Sequence, residues 1–465
     1  MSVLSKTRCL PLLMLVAGLV NSCSDFLDVD RPRDRITGDQ AFQNADTATR
    51  SVTGIYAEMS RTGNMIWGYT TVYAGICSDE LVYTGTALST REYFNGVIDP
   101  SNDLLEKWFW TSPYELIHHV NRCLQGLETT SALPPAVKNP LIGECRFLRA
   151  LLYFHLVQLF GDVPLITGTD YTVTSTLPRA SKDVVWQTIL NDLGIAKDLL
   201  SSDYPSAGRV RANRWSAVAL LARCYLYRKE WAMAEREATA LINSGLYRLG
   251  TVENVFRAES QEAILQVFPT MTGYSTMEGF LLIPIGNVRP TFELSSSLLA
   301  LFESGDKRKN AWVGTRTASG RTYYFPHKYK QRPDFSVGFK AGEYTTLFRL
   351  SEIYLIRAES RMALGEMAGA IEDLNVVRKR AGLSLISPAA PGSNEGVLAD
   401  LIARERQVEL FAEGGHRWFD LKRSGHINNI MRQAKTNWKS DYSLWPIPRA
   451  QIVLNPALKQ NSGYP

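Results

Sequence analysis

The chain has 465 residues, 45% of them hydrophobic, which is ample for a large folded core. Its 51 lysines and arginines against 46 aspartates and glutamates leave a formal charge of +5, with no basic arm and no basic-aromatic stripe, so nucleic acid is not the expected ligand. Past the N-terminal apolar run, no stretch is long and apolar enough to cross a bilayer, which takes roughly 20 residues.

Lys6 and Arg8 precede an apolar run from Leu10 to Val20. The run is too short to span a membrane and fits the central region of a secretory signal peptide. Val20-Asn21-Ser22-Cys23 then resembles a bacterial lipobox, with an aliphatic residue three before the cysteine and a small one just before it; Asn21 is atypical. The pattern predicts removal of residues 1–22 and acylation of Cys23. Two or three acyl chains, at roughly 0.8 kcal/mol per buried CH₂, make a stable anchor. Four of the six cysteines remain in the body: Cys77, Cys123, Cys145 and Cys224. They are scattered, and the last three sit in helical patterns among apolar residues. They read as buried free thiols, with disulfide pairing in an exported protein as the alternative.

Helical periodicity dominates the body of the chain. The expected helices lie at about 40–60, at Leu104–Leu127 (closed by Pro134-Pro135), at Leu141–Phe160 (stopped by Gly161 and Pro164) and at Val184–Leu200. Two helix pairs are clearer. Ala217, Leu220, Cys224 and Tyr227 form one stripe, and Trp231, Ala234, Ala238 and Leu241 the next, ended by Gly245. Leu347, Leu350, Tyr354 and Ala358 form a third. After Gly365, Ala370, Leu374, Val377 and Ala381 form a fourth, stopped by Gly382. Ala222 and Ala234 are twelve apart, as are Ala358 and Ala370, which lets antiparallel helices approach across a short turn. This resembles the tetratricopeptide unit; Tyr225 suits its aromatic slot, whereas Arg361 occupies the counterpart. Two stretches, about 62–95 and 268–342, read as long irregular insertions rich in aromatics, with only Leu294–Phe302 helical in the second.

The densest group of chemically capable residues is Glu405–Arg423. Glu405, Glu409 and Glu413 recur every four residues on one helix face, with Arg404, Arg406 and Arg417 nearby. Paired carboxylates suggest acid–base catalysis, but glycosidases set two carboxyls facing each other across a sugar, about 5–10 Å apart. Charges at i,i+4 with arginines nearby instead predict intrahelical or interhelical ion pairs. His118-His119 diverge on a helix, no HExxH occurs, and Gly414-Gly415 opens no phosphate loop, so no zinc or nucleotide site is assigned.

Seven segments carry a resemblance: SCSDFLDVDRP at the anchor; SDELV at Ser78–Val82; GECRFLRALLYFHLVQLFGDVPLI at Gly143–Ile166; ARCYLYRKEWAMAEREATALINSGLYRL at Ala222–Leu249; LFRLSEIYLIRAES at Leu347–Ser360; ERQVELFAEGGHRWFDLKRSG at Glu405–Gly425; and LWPIPRAQIVLNPALKQNSGY at Leu444–Tyr464. Together, in this order, they resemble the SusD/RagB family of Bacteroidetes nutrient-binding lipoproteins. Ser462 stands where that family usually has proline, and Gln451 where it often has glutamate. The resemblance implies a mainly all-α fold: one domain over 23–465, with tetratricopeptide-like units in a right-handed superhelix over about 40–60, 104–250 and 344–425, long loop insertions and minor β structure. It implies an outer-membrane lipoprotein facing the cell exterior. Such a protein captures a glycan or other nutrient for a SusC-like TonB-dependent transporter, with no catalysis and no cofactor. Some relatives hold a structural calcium, for which the sequence places no site. The alternatives are a tetratricopeptide scaffold or peptide binder without a glycan, and a lipid-anchored glycan hydrolase.

Sugars offer CH-rich faces to flat rings and hydroxyls to polar partners. The first irregular stretch provides Asn64, Trp67, Tyr69 and Tyr73; the second provides Tyr274, Trp312, Tyr323 and Tyr324, with Arg316 and Arg321. In relatives the ligand platform also draws on these two regions. For each ring, core burial is the competing expectation. Trp215 and Trp231 belong to helix packing.

Overall fold

The computed structural model describes residues 38–387 and 395–465. Cys23 and the signal sequence lie outside the described residues. The first long helix, α1 (Ala45–Met59), starts where the Asn44 side chain accepts the Thr47 N–H at 3.0 Å. A short π-helical segment, Met65–Tyr69, leads into α2 (Thr70–Cys77). A second π-segment, Leu105–Thr111, leads into α3 (Ser112–Thr129). α4 (Pro135–Phe160) has proline at its first turn, where the missing N–H costs nothing, and ends at Gly161 with φ +73°. α5 (Lys182–Leu199) packs back along α4.

The two expected helix pairs are present, except that Leu347 of the third stripe lies in a strand, Thr345–Arg349, and the helix begins only at Leu350. α6 (Arg214–Tyr227) opens with a capping box between Asn213 and Ser216, and α7 (Trp231–Asn243) packs antiparallel on it. α9 (Leu350–Ala363) and α10 (Met367–Ala381) form the second pair, turned by Gly365 at φ +83°. Ala222, Ala234, Ala358 and Ala370 are all fully buried, as close helix approach requires. α7 also packs on α9, so the pairs stack into one solenoid. Buried ion pairs fasten the stack. Arg223 of α6 donates to Glu352 of α9 at 2.6 Å, and Arg149 of α4 donates to Asp192 of α5 at 2.7 Å. α11 (Glu395–Leu410) and α12 (His416–Ser424) close the helical half.

The remaining chain holds small antiparallel sheets and short helices. β1 (Leu81–Tyr83) pairs with β3 (Phe292–Leu294), and β2 (Ala263–Val267) with β6 (Thr345–Arg349). β4 (Val313–Ala318) and β5 (Arg321–Pro326) form a hairpin, and α8 (Met277–Leu282) precedes β3. One apolar core runs from Phe42 to Leu458 through both halves; a smaller one joins α9, α10 and α11. Cys77, Cys123, Cys145 and Cys224 are all buried free thiols.

Two expectations need correction. Residues 62–95 are not irregular: most of the stretch is helical, including α2 and a further helix at Leu88–Asn95. Every residue of α2 is buried, so its sequence shows no amphipathic stripe. The helix expected over Leu294–Phe302 shrinks to Ser296–Leu299, because Leu294 pairs with Leu81 in the sheet and the Ser295 hydroxyl caps the shortened helix by accepting the Leu298 N–H.

Candidate functional site

Glu405, Glu409 and Glu413 form a set of buried ion pairs, although α11 ends at Leu410 and only the first two share its face; Glu413 lies in the turn that follows. Glu405 accepts from Arg308 Nη1 at 2.5 Å. Glu409 accepts from the same nitrogen at 2.9 Å, from Arg349 at 2.5 Å and from Arg380. Glu413 accepts from Arg349 through two bonds of 2.7 Å and from Lys328. Each of these carboxylates is nearly sealed from water. With their lone pairs committed to fixed cations, they present no free carboxyl pair to a substrate.

This network explains Trp312. Its indole N–H donates to the Val252 carbonyl at 2.7 Å, and its ring lies under Lys328 (4.6 Å) and Arg380 (5.4 Å). The ring is 1% exposed and belongs to the core, not to a ligand surface. Four of the other sequence candidates are buried too. Asn64 caps the first π-segment, accepting the Ile66 N–H at 3.0 Å. Trp67 sits at the kink of that segment, followed by Gly68 at φ +79°, and has no exposed surface. Tyr69 and Tyr73 pack against Trp108, with ring centroids at 4.4 and 5.6 Å, and burial pushes the Tyr69 hydroxyl up to about 12. Tyr274, Arg316 and Tyr323 are half-buried, while Arg321 and Tyr324 are exposed.

The solvent-facing aromatic cluster centres on Tyr274. Its ring lies 5.5 Å from Phe280 and 5.9 Å from Phe335, with Trp67 behind it at 6.1 Å. Phe335 is 71% exposed, an unusual state for a large ring that has a packed neighbour. Two segments far apart in sequence are zipped together to make this surface. The Asp334 N–H donates to the Gly273 carbonyl at 2.8 Å, and the Ser275 hydroxyl donates to Gln331 Oε1 at 2.6 Å. Glycine is required at two positions. A Cβ on Gly273 would meet the Phe335 ring at 2.5 Å, and one on Gly279 would meet the Gln331 carbonyl at 2.1 Å. Arg332 donates to the Phe280 and Ile283 carbonyls and holds its guanidinium 5.9 Å from the Phe280 centroid. A second pair, exposed Phe268 with Tyr344 at 5.4 Å, lies at the β2–β6 end of the same half. Flat apolar faces flanked by amide, carboxylate and guanidinium groups suit a sugar ring edged by hydroxyls.

Of this surface, the sequence singles out Tyr274 but not Phe268, Phe280, Phe335, Tyr344 or Arg332. The available signal was aromatic density within the Gly- and Pro-rich stretch. The pairing of 271–280 with 331–342 has no local signature.

Beneath the cluster, Glu278 is buried and accepts from Thr345 at 2.7 Å and Thr71 at 3.3 Å. Burial outweighs these donors and pushes its carboxyl up to about 7. A carboxyl raised on folding contributes stability that is fully present below its unfolded value, near 4.5, and is lost as pH rises through 7. Glu278→Gln is therefore expected to raise the melting temperature at pH 8 and to leave it nearly unchanged at pH 4. A lower melting temperature at pH 8 would show that the ionised carboxylate is needed there.

Comparison with known proteins gives a consistent picture. The family model described as "SusD family" matches residues 307–464, and that described as "Starch-binding associating with outer membrane" matches residues 25–226. A SusD-like protein of Formosa agariphila is 23% identical over 95% of this chain and 97% of its own length. A SusD-like protein of Bacteroides ovatus is 25% identical over 70% of this chain and 69% of its own. Among solved structures, a SusD homolog from Bacteroides thetaiotaomicron superposes with a TM-score of 0.80 at 20% identity, covering 93% of this chain and 99% of that one. A laminarin-binding SusD-like protein gives a TM-score of 0.77 at 22% identity, covering 90% and 99%. Two family models that together take in both ends of the described chain, a relative matched along nearly its whole length and a shared fold lead to one assignment: the chain belongs to the SusD/RagB family.

Proposed function

We propose that this chain is a lipid-anchored protein of the outer membrane, facing the cell exterior, that captures an oligo- or polysaccharide and passes it to a TonB-dependent transporter. The observation that carries the reading is the Tyr274–Phe280–Phe335 cluster: three rings in contact through the half-buried Tyr274, with Phe280 and Phe335 exposed, brought together at the surface by two segments distant in sequence. The solved laminarin-binding relative shares the fold, and one matching family description names starch binding at the outer membrane; both support a glycan as the ligand class. Binding without catalysis fits the state of Glu405, Glu409 and Glu413, which are spent on arginine and lysine. Each exposed ring contributes roughly 1 kcal/mol by stacking, so affinity lies in the micromolar to millimolar range. Electrophoresis through native gels containing single polysaccharides tests the capture step. Retardation by at least one glucan or related glycan is expected, and uniform mobility in every gel would refute it.

A tethered binder holds a nutrient but does not move it inward, which is why a transporter is part of the proposal. Extraction of tagged protein in mild detergent should recover a β-barrel partner, and Cys23→Ala should leave the chain uncleaved or soluble. Recovery of the protein alone, or a Cys23→Ala variant that fractionates with the outer membrane as wild type does, would count against this assembly.

A further inference from the structure

The β4–β5 hairpin carries cations that the fold does not neutralise. Arg316 lies opposite Tyr323, and Ala318 opposite Arg321. Opposed residues of an antiparallel pair share a face, so Arg316, Tyr323 and Arg321 stand together, with the two arginines diagonal neighbours. Tyr324 is opposite Thr315 and faces the other way. Arg289 reaches over from the loop after α8, its guanidinium 5.1 Å from the Tyr323 centroid, and is bridged to Glu293 at 2.5 Å. Neither Arg316 nor Arg321 joins an ion pair among the described residues, and Arg316 Nε is buried without a hydrogen-bond partner. Elsewhere the buried arginines, such as Arg308 and Arg349, are each matched to carboxylates. Like charges side by side on one sheet face repel each other unless an anion arrives from outside.

We propose that this face binds the sulfate or carboxylate substituent of an anionic glycan. Arg316 and Arg321 supply guanidinium forks, whose planar donors match an oxyanion, and Tyr323 supplies a stacking surface. The inference rests on the glycan-capture reading and names the ligand class for the same half of the molecule. α8, which carries Phe280, ends only seven residues before Arg289, so one chain segment links the aromatic cluster to the hairpin.

Calorimetric titration with three oligosaccharides of equal length tests it: one sulfated, one uronic-acid-containing, one neutral. At low salt an anionic ligand should bind roughly tenfold or more tighter than the neutral one, as charge-assisted contacts allow. The advantage should shrink at high salt. Which anionic ligand wins separates a sulfate ester from a carboxylate. Arg316→Gln/Arg321→Gln, checked for native circular dichroism, should bring the anionic ligands down to the neutral one's level. Equal binding of all three by wild type, or an advantage that survives the double substitution, would overturn the proposal. The neutral ligand separates the two readings: if it binds and charge adds nothing, only the arginine face is wrong; if no ligand binds, glycan capture falls as well.

Discussion

Replacing Glu409 by alanine is expected to unfold the protein or lower its stability by about 3–5 kcal/mol, the usual cost of breaking a buried pair from one side. The carboxylate meets Arg308, Arg349 and Arg380, and all three would lose a counter-charge in a region sealed from water. That is a large part of the roughly 5–15 kcal/mol that holds a typical domain together. Burial alone would raise the Glu409 carboxyl, but the charges of Arg380, Arg349 and Arg308 hold it well below the usual carboxylate range. A carboxyl depressed on folding contributes stability above its unfolded value and loses it as pH falls through the folded value. Wild type therefore keeps this contribution at neutral pH and loses it only in acid, and Glu409→Gln should be destabilised at pH 7 as well. The internal control is Arg50→Gln, which breaks the exposed i,i+4 pair with Asp46. It should cost no more than about 1 kcal/mol, as surface pairs do. Denaturant melts of the three variants check this. A Glu409→Gln variant as stable as wild type would remove the network from its structural role.

Tyr274→Ala combined with Phe335→Ala is expected to reduce glycan affinity by about tenfold or more, since each ring face gives roughly 0.5–1.5 kcal/mol. From a micromolar-to-millimolar starting point, that places binding at the edge of detection. The fold should persist: Phe335 is largely exposed, and Tyr274 is half-buried at the rim of the core, where its loss uncovers one face of Trp67 without emptying an interior site. Trp312→Ala is the contrasting variant. Its loss should appear first as instability, because it strips the aromatic floor from Lys328 and Arg380. Calorimetry and thermal melts run side by side separate the two. Unchanged affinity in the double variant would remove Tyr274 and Phe335 from the site.

The helical half was legible because its rules are local. Ala222 with Ala234, and Ala358 with Ala370, mark close helix approach within a dozen residues, and glycines mark the turns. Glu405 and Glu409 of α11 were readable as ion-pairing residues from their i,i+4 spacing; Glu413, beyond the end of the helix, joins the same network through the fold. The rest was hidden by long-range packing. α2 is buried on every side, so TTVYAGIC carries no stripe to betray a helix. Trp312 is core because cations from separate segments, Lys328 and Arg380, converge on it. Phe335 becomes a surface ring because Gly273, about sixty residues earlier, lets it lie against backbone. No window of sequence contains both halves of such a contact.

On the proposed function, a glycan sits on the aromatic surface made by residues 268–282 and 331–344. Hydrogen–deuterium exchange, measured with and without a polysaccharide that retards the protein in native gels, tests it most directly. Ligand-dependent protection is expected over those two segments, with little change over α6 and α7. Protection confined to the helix pairs, with the Tyr274 and Phe335 segments exchanging as in the free protein, would contradict it.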